Sequence, residues 1–116
     1  MGKAAHYVPE RADIIMVCFS PNQGNEQAGK RPAVVLSPSI YNAVSGLAIC
    51  CPITRTVSHS PFEVALPKTL NTSGVVLVEQ VRSLAWEARS AKFVERVPAK
   101  IIHEITGKLH ALTGDI

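Results

Sequence analysis

The hydrophobic period of this chain changes once, and late. From Asp13 to Trp86 the apolar residues come in runs of a few residues, each closed by Pro, Gly or a polar stretch. Runs that short and that rich in β-formers are strands. After Pro98 the spacing becomes helical. Ile101, Ile102, Ile105, Leu109 and Leu112 fall on one face, while Lys100, Glu104, Lys108 and Asp115 fall elsewhere. Strands first and a helix last restrict the architecture to mainly β with α. Five to seven short strands in a small, strongly curved barrel, with a C-terminal helix packed on it, fit this order. The 116 residues form one domain, 1–116, long enough to bury a core without disulfides or metal.

The punctuation places the strands. Asp13–Ser20 is the first, closed by Pro21, and a polar connection runs from Pro21 to Arg31. That connection is long for a β-structure, and long loops are more often functional than short ones. Pro32–Ser37 follows with its proline first, where a missing N–H is tolerated. Ser39 is placed to cap one helical turn through Asn42 before Gly46. Leu47–Ile53 is the third strand, Thr54–Ser60 a second polar loop, and Phe62–Leu66 a half-buried strand. Gly74–Gln80 is the strongest strand, and Arg82–Trp86 is expected to pair with it after a bend. Two or three residues of regular structure are expected around Glu87 to Ala91. Gly114 is placed to end the helix.

Composition removes several functions. A net charge of +3 at pH 7 leans mildly toward anionic partners, far below a histone-like binder. No run reaches the roughly 18 apolar residues of a membrane span, and no apolar export signal opens the chain. Three cysteines, Cys18, Cys50 and Cys51, lie in apolar runs without metal-ligand spacing. They read as buried thiols of a cytoplasmic protein. No nucleotide-binding glycine motif, zinc motif or serine-hydrolase elbow occurs. The four histidines are scattered, so no metal is expected.

The reactive groups gather at the ends of the two polar loops. Glu26, Lys30 and Arg31 precede the second strand; Thr54 and Arg55 follow the third. In an antiparallel pair the start of one strand lies beside the end of the next. That brings Arg31 and Thr54 to one edge of the barrel. A guanidinium, a hydroxyl and a second arginine there suit a phosphate, to whose oxygens arginine presents a planar fork of donors. His59, in the second loop, has a side chain suited to acid–base work. It reads first as a solvated loop residue.

Several blocks resemble the MazF/PemK family of toxin endoribonucleases. They are the string from Gly24 through E-Q-A-G-K-R-P-A-V-V-L-S to Pro38, then Tyr41-Asn42, Pro52-Ile53-Thr54 and Pro61-Phe62-Glu63-Val64. The likeness resumes at Gly74-Val75-Val76-Leu77, at Glu79-Gln80-Val81-Arg82-Ser83 and at Ala85-Trp86. Tyr7-Val8-Pro9 is similar to the opening of the MazF branch. The resemblance implies a small SH3-like β-barrel forming a homodimer. It implies metal-independent, sequence-specific cleavage of single-stranded messenger RNA, with no cofactor. It also implies inhibition by an antitoxin through that partner's extended, acidic C-terminal segment.

Carried onto this sequence, the resemblance makes Arg31, Thr54 and Glu26 catalytic. Asn25, Gln27, Arg55 and Gln80 then contact RNA. Ala12 stands where many relatives have glycine, a backbone detail, and the loop 55–60 differs from the better-known members. Two other readings use the same barrel. A related family poisons DNA gyrase without an Arg31/Thr54 pair, and a non-catalytic regulator binding nucleic acid or antitoxin would be expected to lack one of the two. Both residues are present.

Overall fold

The computed structural model describes residues 7–19 and 29–114. Asn25, Glu26 and Gln27 lie outside the described residues.

The chain forms β1 (Asp13–Cys18), β2 (Lys30–Val35), α1 (Ser39–Ser45), β3 (Ala48–Thr54), β4 (Glu63–Ala65) and β5 (Val75–Leu77). A 3-10 turn (Val78–Gln80) leads to β6 (Arg82–Leu84), β7 (Lys92–Arg96) and α2 (Ala99–Thr113). The seven strands run in the order β4-β5-β3-β2-β1-β7, with β6 also paired to β3. All pairings are antiparallel. The sheet is strongly curved and barrel-like but not closed, since β4 and β7 remain its two ends. This is the mainly β class, with a C-terminal helix, that the sequence predicts.

The central strands are apolar throughout because both faces of the sheet are covered. Ile14, Val34, Cys51 and Val76 point into one cluster, closed by Ile101, Ile102 and Ile105 of α2. Their neighbours Ile15, Val35 and Cys50 point into the other, with Leu84 and Trp86. Strands buried on two faces read as continuous hydrophobic runs rather than as alternation. All three cysteines are buried and none forms a disulfide among the described residues, and burial pushes the Cys50 and Cys51 thiols up to about 12.

β3 changes partner along its length at Pro52. Its first half pairs with β6 through Ala48, Ile49 and Cys50, and its end pairs with β5 through Ile53 and Thr54. Pro52 lies between the two neighbours, where no partner strand needs its missing N–H.

Several local expectations are corrected. β5 is three residues long and the chain then tightens into the 3-10 turn. β6 pairs with β3, not with β5. Pro32 is the third residue of β2, opposite Met16. Ser39 is the first residue of a two-turn helix rather than its cap; Pro38 takes that position, and Gly46 ends the helix at φ 75. The regular structure placed within 87–91 is instead β7, paired with β1 further along. Ile14 pairs with Glu95 and Ile15 with Phe93, leaving Val94 as a bulge. That extra residue breaks the period-2 pattern by which a strand is recognised. On α2 the apolar stripe is buried through Ile105 and packed against the core at Leu109, while Leu112 is 43% exposed.

Candidate active site

The β2–β3 register carries Arg31 to Thr54. Ala33 pairs with Pro52, Val34 with Cys51 and Val35 with Cys50. Continuing that register by two residues sets Arg31 opposite Thr54. Both line a cavity of about 400 Å³, together with Met16, Pro32, Ile53 and Arg55 and with Asn71, Thr72 and Ser73 of the connection before β5. Its volume is within the roughly 300–1,000 Å³ range of small-ligand sites.

Thr54 is fixed from two directions. Its Oγ1 accepts the Thr56 N–H at 3.1 Å, which leaves the hydroxyl proton to be donated outward. Behind it lies Gly74, at φ +120, so near that a Cβ there would stand 2.2 Å from the Thr54 carbonyl oxygen. Only glycine permits this approach of β5 to β3.

Arg31 is exposed, and its guanidinium carbon lies 5.7 Å from the centroid of the Phe19 ring. Arg82 approaches the same ring at 5.4 Å. Both distances are within the roughly 6 Å reach of a cation–π contact. Among the described residues neither arginine is in a salt bridge, so two cations stand at this edge without a carboxylate partner there.

The loop after Thr54 is ordered by Glu63. Its carboxylate accepts the Ser58 N–H and hydroxyl and the His59 N–H. Those bonds, led by the Ser58 hydroxyl, outweigh desolvation and hold Glu63 below the ordinary carboxylate value. Lys108 of α2 donates to the Pro61 and Glu63 carbonyls, at 2.6 and 3.3 Å. His59 is exposed, with φ 62, and is not among the residues lining the cavity.

Of the residues singled out in the sequence, the structure brings Arg31, Thr54 and Arg55 together. Gln80 lies exposed on the turn between β5 and β6, outside that lining. Sequence reasoning missed Phe19, the Asn71–Ser73 wall and the part played by Gly74. The available signals were an aromatic at the end of a β-run and a polar turn just before another. Trp86 is core: it is 9% exposed and its indole N–H donates to the buried Asn42 carbonyl at 3.0 Å. Among the described residues no group of three or more His, Cys, Asp or Glu is placed to hold a metal.

Fold and site together define a small curved β domain with an arginine–threonine cleft suited to an anion. The chain belongs to the family described as PemK-like, MazF-like toxin of type II toxin-antitoxin system, whose model matches residues 10–113. It is 44% identical over 110 residues to the endoribonuclease toxin MazF of Escherichia coli K12, covering 95% of this chain and 98% of that one. MazF from Deinococcus radiodurans superposes with a TM-score of 0.87 at 45% identity, over 95% of this chain and all of that one. A MazE–MazF complex from the same organism matches with a TM-score of 0.85 at 41% identity, over 96% of this chain and 100% of the matched chain. The resemblance read from the sequence is borne out. No helix among the described residues is long and apolar enough to cross a membrane.

Proposed function

We propose that this protein is the toxin of a type II toxin–antitoxin pair: a homodimeric, cytoplasmic endoribonuclease that cuts single-stranded RNA at short motifs. The observation that carries the reading is the convergence of Arg31 and Thr54 on one cavity in a chain of this family.

The chemistry follows from the groups present. The substrate's 2′-hydroxyl attacks the adjacent phosphorus. A P–O2′ bond forms, the P–O5′ bond breaks, the 2′ proton leaves and a proton joins the departing 5′-oxygen. The products are a 2′,3′-cyclic phosphate and a 5′-hydroxyl. The Arg31 guanidinium stabilises the negative charge that builds on the phosphorane and hydrogen-bonds the leaving oxygen, which takes its proton from water. Thr54, its hydroxyl oxygen already occupied by the Thr56 N–H, donates to a non-bridging oxygen and holds the phosphate in line. Glu26, outside the described residues, is assigned as acceptor of the 2′ proton. Arg55 contacts the RNA from the cavity rim, and Asn25, Gln27 and Gln80 contact it from around the cavity. An acidic antitoxin segment suits the same cationic edge, where Arg31 and Arg82 lack carboxylate partners among the described residues.

The test is incubation of the purified dimer with a long natural single-stranded RNA in EDTA, followed by mapping of the cut ends. Discrete cuts bearing 5′-hydroxyl ends are expected. No cleavage by folded, antitoxin-free protein refutes the reading and favours a gyrase poison or a binding-only regulator, which a gyrase assay separates.

A further inference from the structure

The cavity has a second wall that the cleavage chemistry leaves without a task. Asn71, Thr72 and Ser73 form it, lining the same cavity as Arg31, Thr54 and Arg55. It lies in the connection between β4 and β5, a polar turn of the kind that ordinarily samples many conformations. Here it is pinned in three places. At its C-terminal end Gly74 abuts the Thr54 main chain. At its neck the Leu66 N–H donates to the Gly74 carbonyl at 3.0 Å. In its middle the Glu95 carboxylate accepts the Asn71 N–H at 3.1 Å, the Thr72 N–H at 2.7 Å and the Thr72 hydroxyl at 2.7 Å.

Glu95 reaches this turn from β7, beside the Val94 bulge, a device that re-aims a neighbouring side chain. Its three bonds go to the main chain of the wall and to Thr72. Among the described residues the Asn71 carboxamide and the Ser73 hydroxyl take part in no hydrogen bond, so they are available to a ligand in the cavity. A carboxamide offers a donor and an acceptor side by side, the complement of a base edge. Phosphate contacts carry no sequence information; base edges do, and in single-stranded RNA the unstacked base is open to them.

We infer that the Asn71–Ser73 wall reads the base flanking the scissile phosphate, and that Glu95 is the positioning residue that holds the wall in place. This rests on Arg31 and Thr54 binding that phosphate. The rigid main chain supplies what discrimination requires, because a wall free to move would let each base find its own partner geometry.

The experiment maps the cut sites of wild type, Asn71→Asp, Asn71→Ala, Glu95→Ala and Glu95→Gln on one long natural single-stranded RNA, with each variant shown to be folded by its melting curve. Asn71→Asp keeps the side chain's size and exchanges its donor for an acceptor, so it separates recognition from loss of fold. The expected result is a changed base preference at one position of the motif, with discrimination there shifted about 5-fold or more in the Asn71 variants. In Glu95→Ala the same position relaxes, and Glu95→Gln, which keeps one acceptor oxygen, falls between it and wild type. An unchanged motif in both Asn71 variants and in Glu95→Ala overturns the inference while leaving the Arg31/Thr54 reading standing. No cleavage by wild type overturns both.

Discussion

Gly74→Ala and Gly107→Ala are the same substitution at two sites, and the structure predicts opposite signs. At Gly107, inside α2, an added Cβ meets nothing within 4 Å. Alanine there gains helix propensity worth about 0.8–1.0 kcal/mol. At Gly74 the Cβ would stand 2.2 Å from the Thr54 oxygen and 2.8 Å from its carbonyl carbon. Real Cβ contacts essentially never fall below 3.0 Å, so Thr54 and Gly74 must separate by about 0.8 Å. The positive φ adds backbone strain of about 1–3 kcal/mol, and forcing the contact apart costs about 1–3 kcal/mol more. A loss of about 2–6 kcal/mol is a large share of the roughly 5–15 kcal/mol that holds a domain folded. Because the moving atom belongs to Thr54, cleavage suffers beyond stability: a misplacement near 1 Å in a catalytic constellation costs about 10²-fold in rate. The assays are denaturant unfolding and single-turnover cleavage of one fluorogenic RNA, at a temperature where all three proteins are folded. Near-native unfolding and cleavage by Gly74→Ala, or a loss of stability in Gly107→Ala, refutes the reasoning.

Three further outcomes follow from other contacts. Phe19→Leu removes the ring beneath Arg31 and Arg82; at about 0.5–1 kcal/mol per contact, kcat falls about 2–5-fold, and an unchanged kcat contradicts the brace. Asp13 is nearly buried and accepts from the Tyr7 hydroxyl, the Glu10 N–H and Arg96. Asp13→Ala therefore leaves several donors unpaired at about 1–3 kcal/mol each, and a measured loss below 1 kcal/mol refutes that accounting. Glu63 has its carboxyl depressed in the folded state from 4.5, so its contribution is present above the unfolded value and is lost as pH falls through the folded one. Unfolding followed from pH 7 to pH 3 should show the gap between wild type and Glu63→Gln closing only in acid; a gap independent of pH contradicts it.

Legibility in the sequence tracked distance along the chain and regularity of pattern. The Arg31–Thr54 approach was readable because it needs only antiparallel pairing of two strands that follow one another. The helix was readable from Ile101, Ile102 and Ile105, whose spacing is set by α2 itself. β7 was not, because the Val94 bulge spoils its alternation and its partner, β1, lies far back in the chain. The pairing of β6 was misread for a related reason: proximity in sequence favoured β5, while β3 is long enough to hold β5 and β6 along one side in succession. The Asn71–Ser73 wall depends on Glu95, and no local pattern reports a carboxylate bonded to a turn that precedes it by more than twenty residues. Ala12 shows a detail the sequence flagged correctly: it sits at φ 82, where glycine is the ordinary choice.

The most direct test of the central claim is the single-turnover cleavage rate of Arg31→Ala beside its affinity for the same RNA. If Arg31 stabilises the phosphorane, the rate falls by about 10²–10³-fold or more while RNA binding stays within a few-fold of wild type. Cleavage at a near-native rate by the folded variant contradicts the assignment, and with it the account of the cavity as the place where RNA is cut.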